Sequence, residues 1–124
     1  DESTMTASLT HDIPAGPVLN GPADGATDVD PATVVVSWEE VTTDIDGGSD
    51  ITIVGYQVIV ALDTEPEFPR GFAHPVFSIF LPPTASNVTV PIEFIDGDET
   101  HKYEVLAIEE SGNQTLSSAV FSTL

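Results

Sequence analysis

The sequence has 124 residues, which is enough for one domain with its own core. It has 21 acidic residues against two basic ones, Arg70 and Lys102, and it contains no cysteine. The formal charge of −19 excludes binding to nucleic acid or to an anionic membrane and favours cations or a basic partner. The lack of cysteine excludes disulfides and thiolate catalysis. Because like charges repel, we expect stability to rise with salt.

The chain begins with an extension, residues 1–13, in which Met5, Ala7 and Leu9 alternate with polar residues. This period of two predicts a short β-strand over Thr4–Thr10. A second short strand is predicted near Val18, followed by a turn-rich stretch up to Pro31. No apolar run reaches the length that direct insertion into a membrane requires.

The rest of the chain alternates short segments rich in Val, Ile, Thr and aromatic residues with turns rich in Pro and Gly, which predicts an all-β protein. The predicted strands are Thr33–Trp38, Ile51–Leu62, Val76–Leu81, Asn87–Val90, His101–Ile108 and Thr115–Phe121. Inward-facing positions follow from the alternation. They are Val34, Val36 and Trp38 in the first of these strands; Val54, Tyr56, Val58 and Val60 in the second; and Tyr103, Val105 and Ala107 in the fifth.

Over residues 14–124 these segments resemble a fibronectin type III domain. The matching pieces are Val34-x-Val36-x-Trp38, Gly55-Tyr56-Gln57-Val58, Ile95-Asp96-Gly97, Tyr103-x-Val105-x-Ala107 and Gly112. The resemblance implies a seven-stranded antiparallel β-sandwich of the immunoglobulin-like kind, here with an extra N-terminal strand. One departure is His101, which stands where the family usually has a tyrosine at the turn before this strand. We expect His101 to donate a hydrogen bond across that turn.

Nothing in the sequence indicates an enzyme. The three histidines, His11, His74 and His101, lie far apart and no nucleophile motif accompanies them. Each Asp and Glu is therefore expected to be a solvated surface group.

Calcium is the one cofactor that the sequence suggests. Asp44, Asp46 and Asp50 lie in a loop with two glycines, and a hard cation prefers several oxygen ligands. The spacing departs from the EF-hand pattern, so a plain polar turn is the alternative. The stretch 96–99 is a second, poorer candidate.

Two sequons, at Asn87 and Asn113, are candidate sites for attached glycans. Asn87 is expected to point outward because Val88 and Val90 point inward. Asn113 is expected in an exposed loop.

An apolar patch is predicted on the outside of the sandwich. If Val54 faces the core, Ile53 and Ile59 face outward, and Leu106 and Ile108 face outward from a neighbouring strand. Large exposed apolar patches usually mark interfaces.

Together these features favour a secreted, non-catalytic structural subunit of a cell surface. In this interpretation the N-terminal strand with Met5, Ala7 and Leu9 adds to a sheet edge of the next copy and builds a head-to-tail filament, a homopolymer. The alternative is a spacer or ligand-binding module of a larger surface protein or secreted enzyme. A carbohydrate- or calcium-dependent adhesin tip is a third hypothesis.

Overall fold

A computed structural model describes residues 13–63 and 76–124. The described chain is all-β, as the sequence predicts, and its elements are strands joined by turns and two 3-10 turns. The strands are β1 (Leu19–Gly21), β2 (Ala26–Val29), β3 (Val35–Trp38), β4 (Ile53–Leu62), β5 (Phe77–Leu81), β6 (Asn87–Thr89), β7 (Thr100–Glu109) and β8 (Gln114–Thr123). The 3-10 turns are Pro31–Thr33 and Ile92–Phe94. None of the helical turns in these ranges is long enough to cross a membrane.

The strands form two sheets that pack face to face. The smaller sheet has the order β1-β3-β6, and the larger has the order β2-β8-β7-β4-β5. All pairs are antiparallel except β2, which runs parallel to β8. The sandwich is therefore confirmed, but the turn-rich stretch before Pro31 contains a strand that the sequence analysis did not predict, and one pairing departs from the expected antiparallel pattern.

The core lies between the sheets and is built by the expected alternation. Trp38 from the smaller sheet packs against Tyr56 from the larger, with ring centroids 5.4 Å apart. The side chains predicted to face inward are buried, with one exception described below; the buried ones are Val34, Val36, Trp38, Tyr56, Val58, Val60, Tyr103, Val105 and Ala107. This arrangement confirms the strand register in β3, in β7 and in most of β4.

Two tyrosine hydroxyls hydrogen-bond to the backbone within the core. The Tyr103 hydroxyl donates to the Pro22 carbonyl at 2.5 Å, which ties β7 to the turn after β1. Burial, aided by the charge of Asp24, raises the pKa of Tyr103 to about 12. The Tyr56 hydroxyl oxygen accepts from the Val41 N–H at 2.8 Å, and burial raises the pKa of Tyr56 as well. Both hydroxyls therefore stay protonated and bonded at any physiological pH.

The two ends of the described chain lie at opposite poles of the sandwich. At one pole Pro14 bridges to Asp44, and its carbonyl accepts from the Thr115 hydroxyl at the start of β8. At the other pole the Leu124 N–H donates to the Val29 carbonyl just beyond the end of β8. A ten-residue strand such as β8 spans about 33 Å, so the ends are separated by roughly that distance.

Candidate functional site

The outer face of the larger sheet carries an exposed apolar row. In the order of the strands, Phe80 pairs with Gln57, Gln57 with Leu106, and Leu106 with Leu116. Directly paired residues point to the same side of a sheet, so these four side chains form one line across β5, β4, β7 and β8. Phe80 is 69% exposed and Leu116 is 50% exposed. Leu106 was expected in an outward patch, whereas Phe80 and Leu116 were missed.

A β-bulge at the start of β4 overturns part of the predicted patch. The pairing with β7 shifts between Ile53 and Gly55, so Val54 is 50% exposed and Ile53 packs partly against the core. Their predicted orientations were therefore wrong, because the extra residue in the bulge inverts the alternation before it. The bulge brings Gly55 close to β5: a Cβ there would lie 2.8 Å from the Leu81 carbonyl oxygen.

Beyond the bulge the predicted alternation holds. Ile59 alternates with buried Val58 and Val60 and is half-buried on the outer face. Ile108 is half-buried and pairs with Gly55, beside the exposed Val54. The outer face of the larger sheet therefore carries three of the four residues predicted for the apolar patch, Ile59, Leu106 and Ile108. The fourth, Ile53, is replaced there by Val54.

The predicted calcium loop is closed by its own backbone. The Asp44 carboxylate accepts from the N–H groups of Asp46, at 2.9 Å, and Gly48, at 2.8 Å. Asp46 and Asp50 are exposed. Within residues 13–63 and 76–124 no group of three or more His, Asp or Glu side chains is placed to hold a metal ion. In the described chain the loop is a polar turn closed by the Asp44 carboxylate, and calcium binding there stays a prediction.

The two sequons differ in their surroundings. Asn87 is exposed at the start of β6, beside the half-buried Val88, as expected. Asn113 lies in the turn between β7 and β8 but is half-buried, and its N–H donates to the Glu109 carboxylate. The hydroxyl of Thr115, the third residue of that sequon, donates to Pro14. Asn87 is therefore the more accessible of the two.

Glu109 is a buried acid that sequence analysis missed. Its side chain is 1% exposed, and its carboxylate accepts from the N–H groups of Ser111, at 2.8 Å, and Asn113, at 3.1 Å. The expectation that every acid is solvated was therefore wrong here. The signal was present, because Glu109 continues the inward series of Tyr103, Val105 and Ala107.

His101 closes the turn at the opposite end of β7, but as an acceptor. The Asp96 N–H donates to its Nε2 at 3.2 Å, whereas a donated bond was expected. Its Nδ1 is buried without a hydrogen-bond partner in the described part of the chain, and the ring stacks on Phe121 at 5.3 Å. Burial lowers the pKa of His101, while the Glu99 backbone and the charges of Asp96 and Glu99 oppose that shift. The ring is therefore uncharged at neutral pH, and it is fully buried in the described part of the chain.

Several sequence predictions fall outside the described residues. They are the N-terminal strand with Met5, Ala7 and Leu9, and the histidines His11 and His74.

No family model matches the sequence, and no curated protein matches it. Solved structures do match, and they show that the chain has the fibronectin type III fold. The third fibronectin III domain of human KIAA0343 is 15% identical, with a TM-score of 0.57, over 91% of this chain and 85% of that one. The fn3 domain of human collagen alpha-1(XX) is 22% identical, with a TM-score of 0.55, over 88% and 85% of the two chains.

A third match shows the same unit within a multidomain chain. The FN1–FN3 domains of chicken CNTN1 are 14% identical, with a TM-score of 0.55. The match covers 90% of this chain but 34% of that chain. The similarity therefore extends over about one of the three domains in the CNTN1 structure.

Glu109→Ala should destabilise the domain, because it removes the buried carboxylate that accepts from the Ser111 and Asn113 N–H groups at the β7–β8 turn. Hydrogen bonds to a charged group contribute about 1.5–3 kcal/mol each to stability, and we expect a loss of about 2–3 kcal/mol in urea unfolding. Glu110→Ala is the matched control, since Glu110 is the exposed neighbour and its loss should change stability by less than about 0.5 kcal/mol. Equal effects of the two substitutions would contradict the role of Glu109.

His101 should make the domain less stable in mild acid. Its folded pKa lies below the unfolded value of 6.5, so the unfolded chain binds the proton more readily and stability falls as the pH drops below 6.5. His101→Phe keeps the stack on Phe121 and removes the titration. Wild type should therefore lose stability relative to the variant between about pH 7.5 and pH 5.5. The carboxylates titrate in both proteins, so a constant difference would refute the prediction.

Proposed function

We propose that the chain is a non-catalytic module of a larger extracellular protein, holding its neighbours apart and presenting the outer face of its larger sheet. The observation that carries this proposal is the position of the chain ends. Residues 13–16 lie beside the start of β8 and Leu124 lies beyond its end, so the described chain enters and leaves the sandwich at opposite poles.

The similar structures and the burial of the described histidine support the same function. The chain resembles one unit of the three-domain CNTN1 structure and the fn3 domain of a collagen chain, which favours a modular extracellular protein. His101, the histidine that the structure describes, is fully buried, which argues against acid–base catalysis there.

Two fluorescent proteins joined to the ends of the described domain test the spacer function. One carrier is joined directly before residue 13 and the other after Leu124, and energy transfer between them is measured. Attachment at opposite poles, about 33 Å apart before the carriers' own radii are added, predicts low transfer. We also expect the melting temperature of the domain to stay within about 2 °C of the unfused protein. High transfer, or unfolding of the domain by either carrier, would contradict the proposal.

A second candidate function is the filament subunit. The observation that favours it is the free edge of β5: among the described strands, β5 pairs with β4 alone. An edge strand offers unpaired backbone groups to a strand from another copy. The predicted N-terminal strand would start from the pole where residue 13 lies and would pair with β5 of the next copy, placing Met5 and Leu9 on one side of the extended sheet.

Two double substitutions of equal charge test the filament. Met5→Asp with Leu9→Asp removes the apolar side of the predicted strand, whereas Thr6→Asp with Ser8→Asp changes the other side. If strand addition builds a filament, electron microscopy at high salt should show filaments for the full chain and for the second variant but not for the first. A full chain that forms no filaments, or equal assembly of both variants, would rule out the filament subunit. The module of a larger protein would then be the remaining proposal.

A further inference from the structure

We propose that the outer face of the larger sheet docks face to face on the same face of a second copy of this chain. The proposal rests on the apolar row of Phe80, Leu106 and Leu116 and on the distribution of charge around it. It is independent of what is attached at the poles, because the face lies along the side of the sandwich.

The part of the outer face formed by β5, β4, β7 and β8 is electrically neutral in a strongly acidic protein. Of the 21 acids in the sequence, one, Glu104, points outward from β4, β5, β7 or β8, and Lys102 beside it balances its charge. Glu109, the other acid in these strands, is buried. The face is therefore a region where two acidic copies can meet without bringing like charges into contact.

The row also complements itself. Two sheets that pack face to face align their strands to within about 30°. A two-fold axis parallel to the strands, between β4 and β7, places β5 of one copy over β8 of the other. The registers then bring Phe80 over Leu116 of the second copy and Leu106 over Gln57 of the second copy. Because the axis is two-fold, each of these contacts occurs twice in the dimer.

The polar residue in the row is already partly satisfied. The Gln57 side-chain amide donates to the Ser78 hydroxyl at 3.1 Å, across β4 and β5, so its burial leaves less hydrogen-bonding capacity unmet.

The size of the face points to a weak dimer. Four strands about 4.8 Å apart and about 25 Å of strand length give roughly 500 Å² per copy, or about 1,000 Å² in total. That total is the lower limit for a specific interface, so association is reversible and requires high concentration.

Sedimentation equilibrium of the full chain measures the association. We expect the dimer to strengthen from about 0.05 M to about 1 M sodium chloride, because salt screens the repulsion between the acidic bodies while the neutral face stays in contact. Phe80→Asp should raise the dissociation constant by about thirtyfold, because it places a charge against Leu116 in each of the two equivalent contacts. Val35→Asp, on the exposed side of β3 in the smaller sheet, adds the same charge elsewhere and should leave the dimer unchanged at high salt.

Engineered thiols test the orientation, since the chain has no cysteine of its own. When oxidised by dissolved oxygen, a mixture of Phe80→Cys and Leu116→Cys proteins should form the mixed disulfide in preference to either like pair, because only the mixed pair is in contact across the axis. A mixture of Phe80→Cys and Val35→Cys should crosslink at the background rate.

Three results would overturn the proposal. The first is a full chain that stays monomeric at high salt and concentration. In that case the outer face would bind a different protein, not a second copy. The second is equal weakening by Val35→Asp, which places the contact on another surface. The third is a large drop in the melting temperature of the monomer on Phe80→Asp, because it would mean that the chain itself covers the row.

Discussion

The pairing of β7 with both of its neighbours determines the rest of this structure. β7 lies between β4 and β8, and all three strands are ten residues long. Once the register of β7 is set, every second residue in three strands is assigned to the core and the others to the outer face. The buried tyrosine at position 103, the exposed row through Leu106 and the neutral pair of Lys102 and Glu104 all follow from that one alignment.

The same strand explains why polar residues are found inside the sandwich. Its inward series begins at His101 and ends at Glu109, and each of these residues lies next to a turn. There the imidazole and the carboxylate accept hydrogen bonds from backbone N–H groups of the turn. A buried polar side chain at each end of an apolar series thus satisfies the backbone at the point where the ladder stops.

Periodicity predicted most of the fold because alternation reports directly on which side of a sheet a residue faces. It gave the core positions of β3 and β7 and placed Leu106 and Ile108 outward. It failed where the backbone departs from a regular strand. The bulge beside Gly55 exchanges Ile53 and Val54, and no composition signal other than the glycine marks it. β2 lacks alternation, since Thr27 and Asp28 are both exposed, so its parallel pairing with β8 had no signature in the sequence.

The position of Lys102 has a consequence for proteolysis. A protease that cleaves after basic residues has two recognition residues in the whole sequence, Arg70 and Lys102. Lys102 lies on β7 with Ala61 paired on one side and Val120 on the other, so its peptide bond cannot enter a protease cleft as an extended strand unless the larger sheet opens. Cleavage at this bond therefore requires the sheet to open, and where reclosing is faster than cleavage its rate reports on the stability of the sandwich.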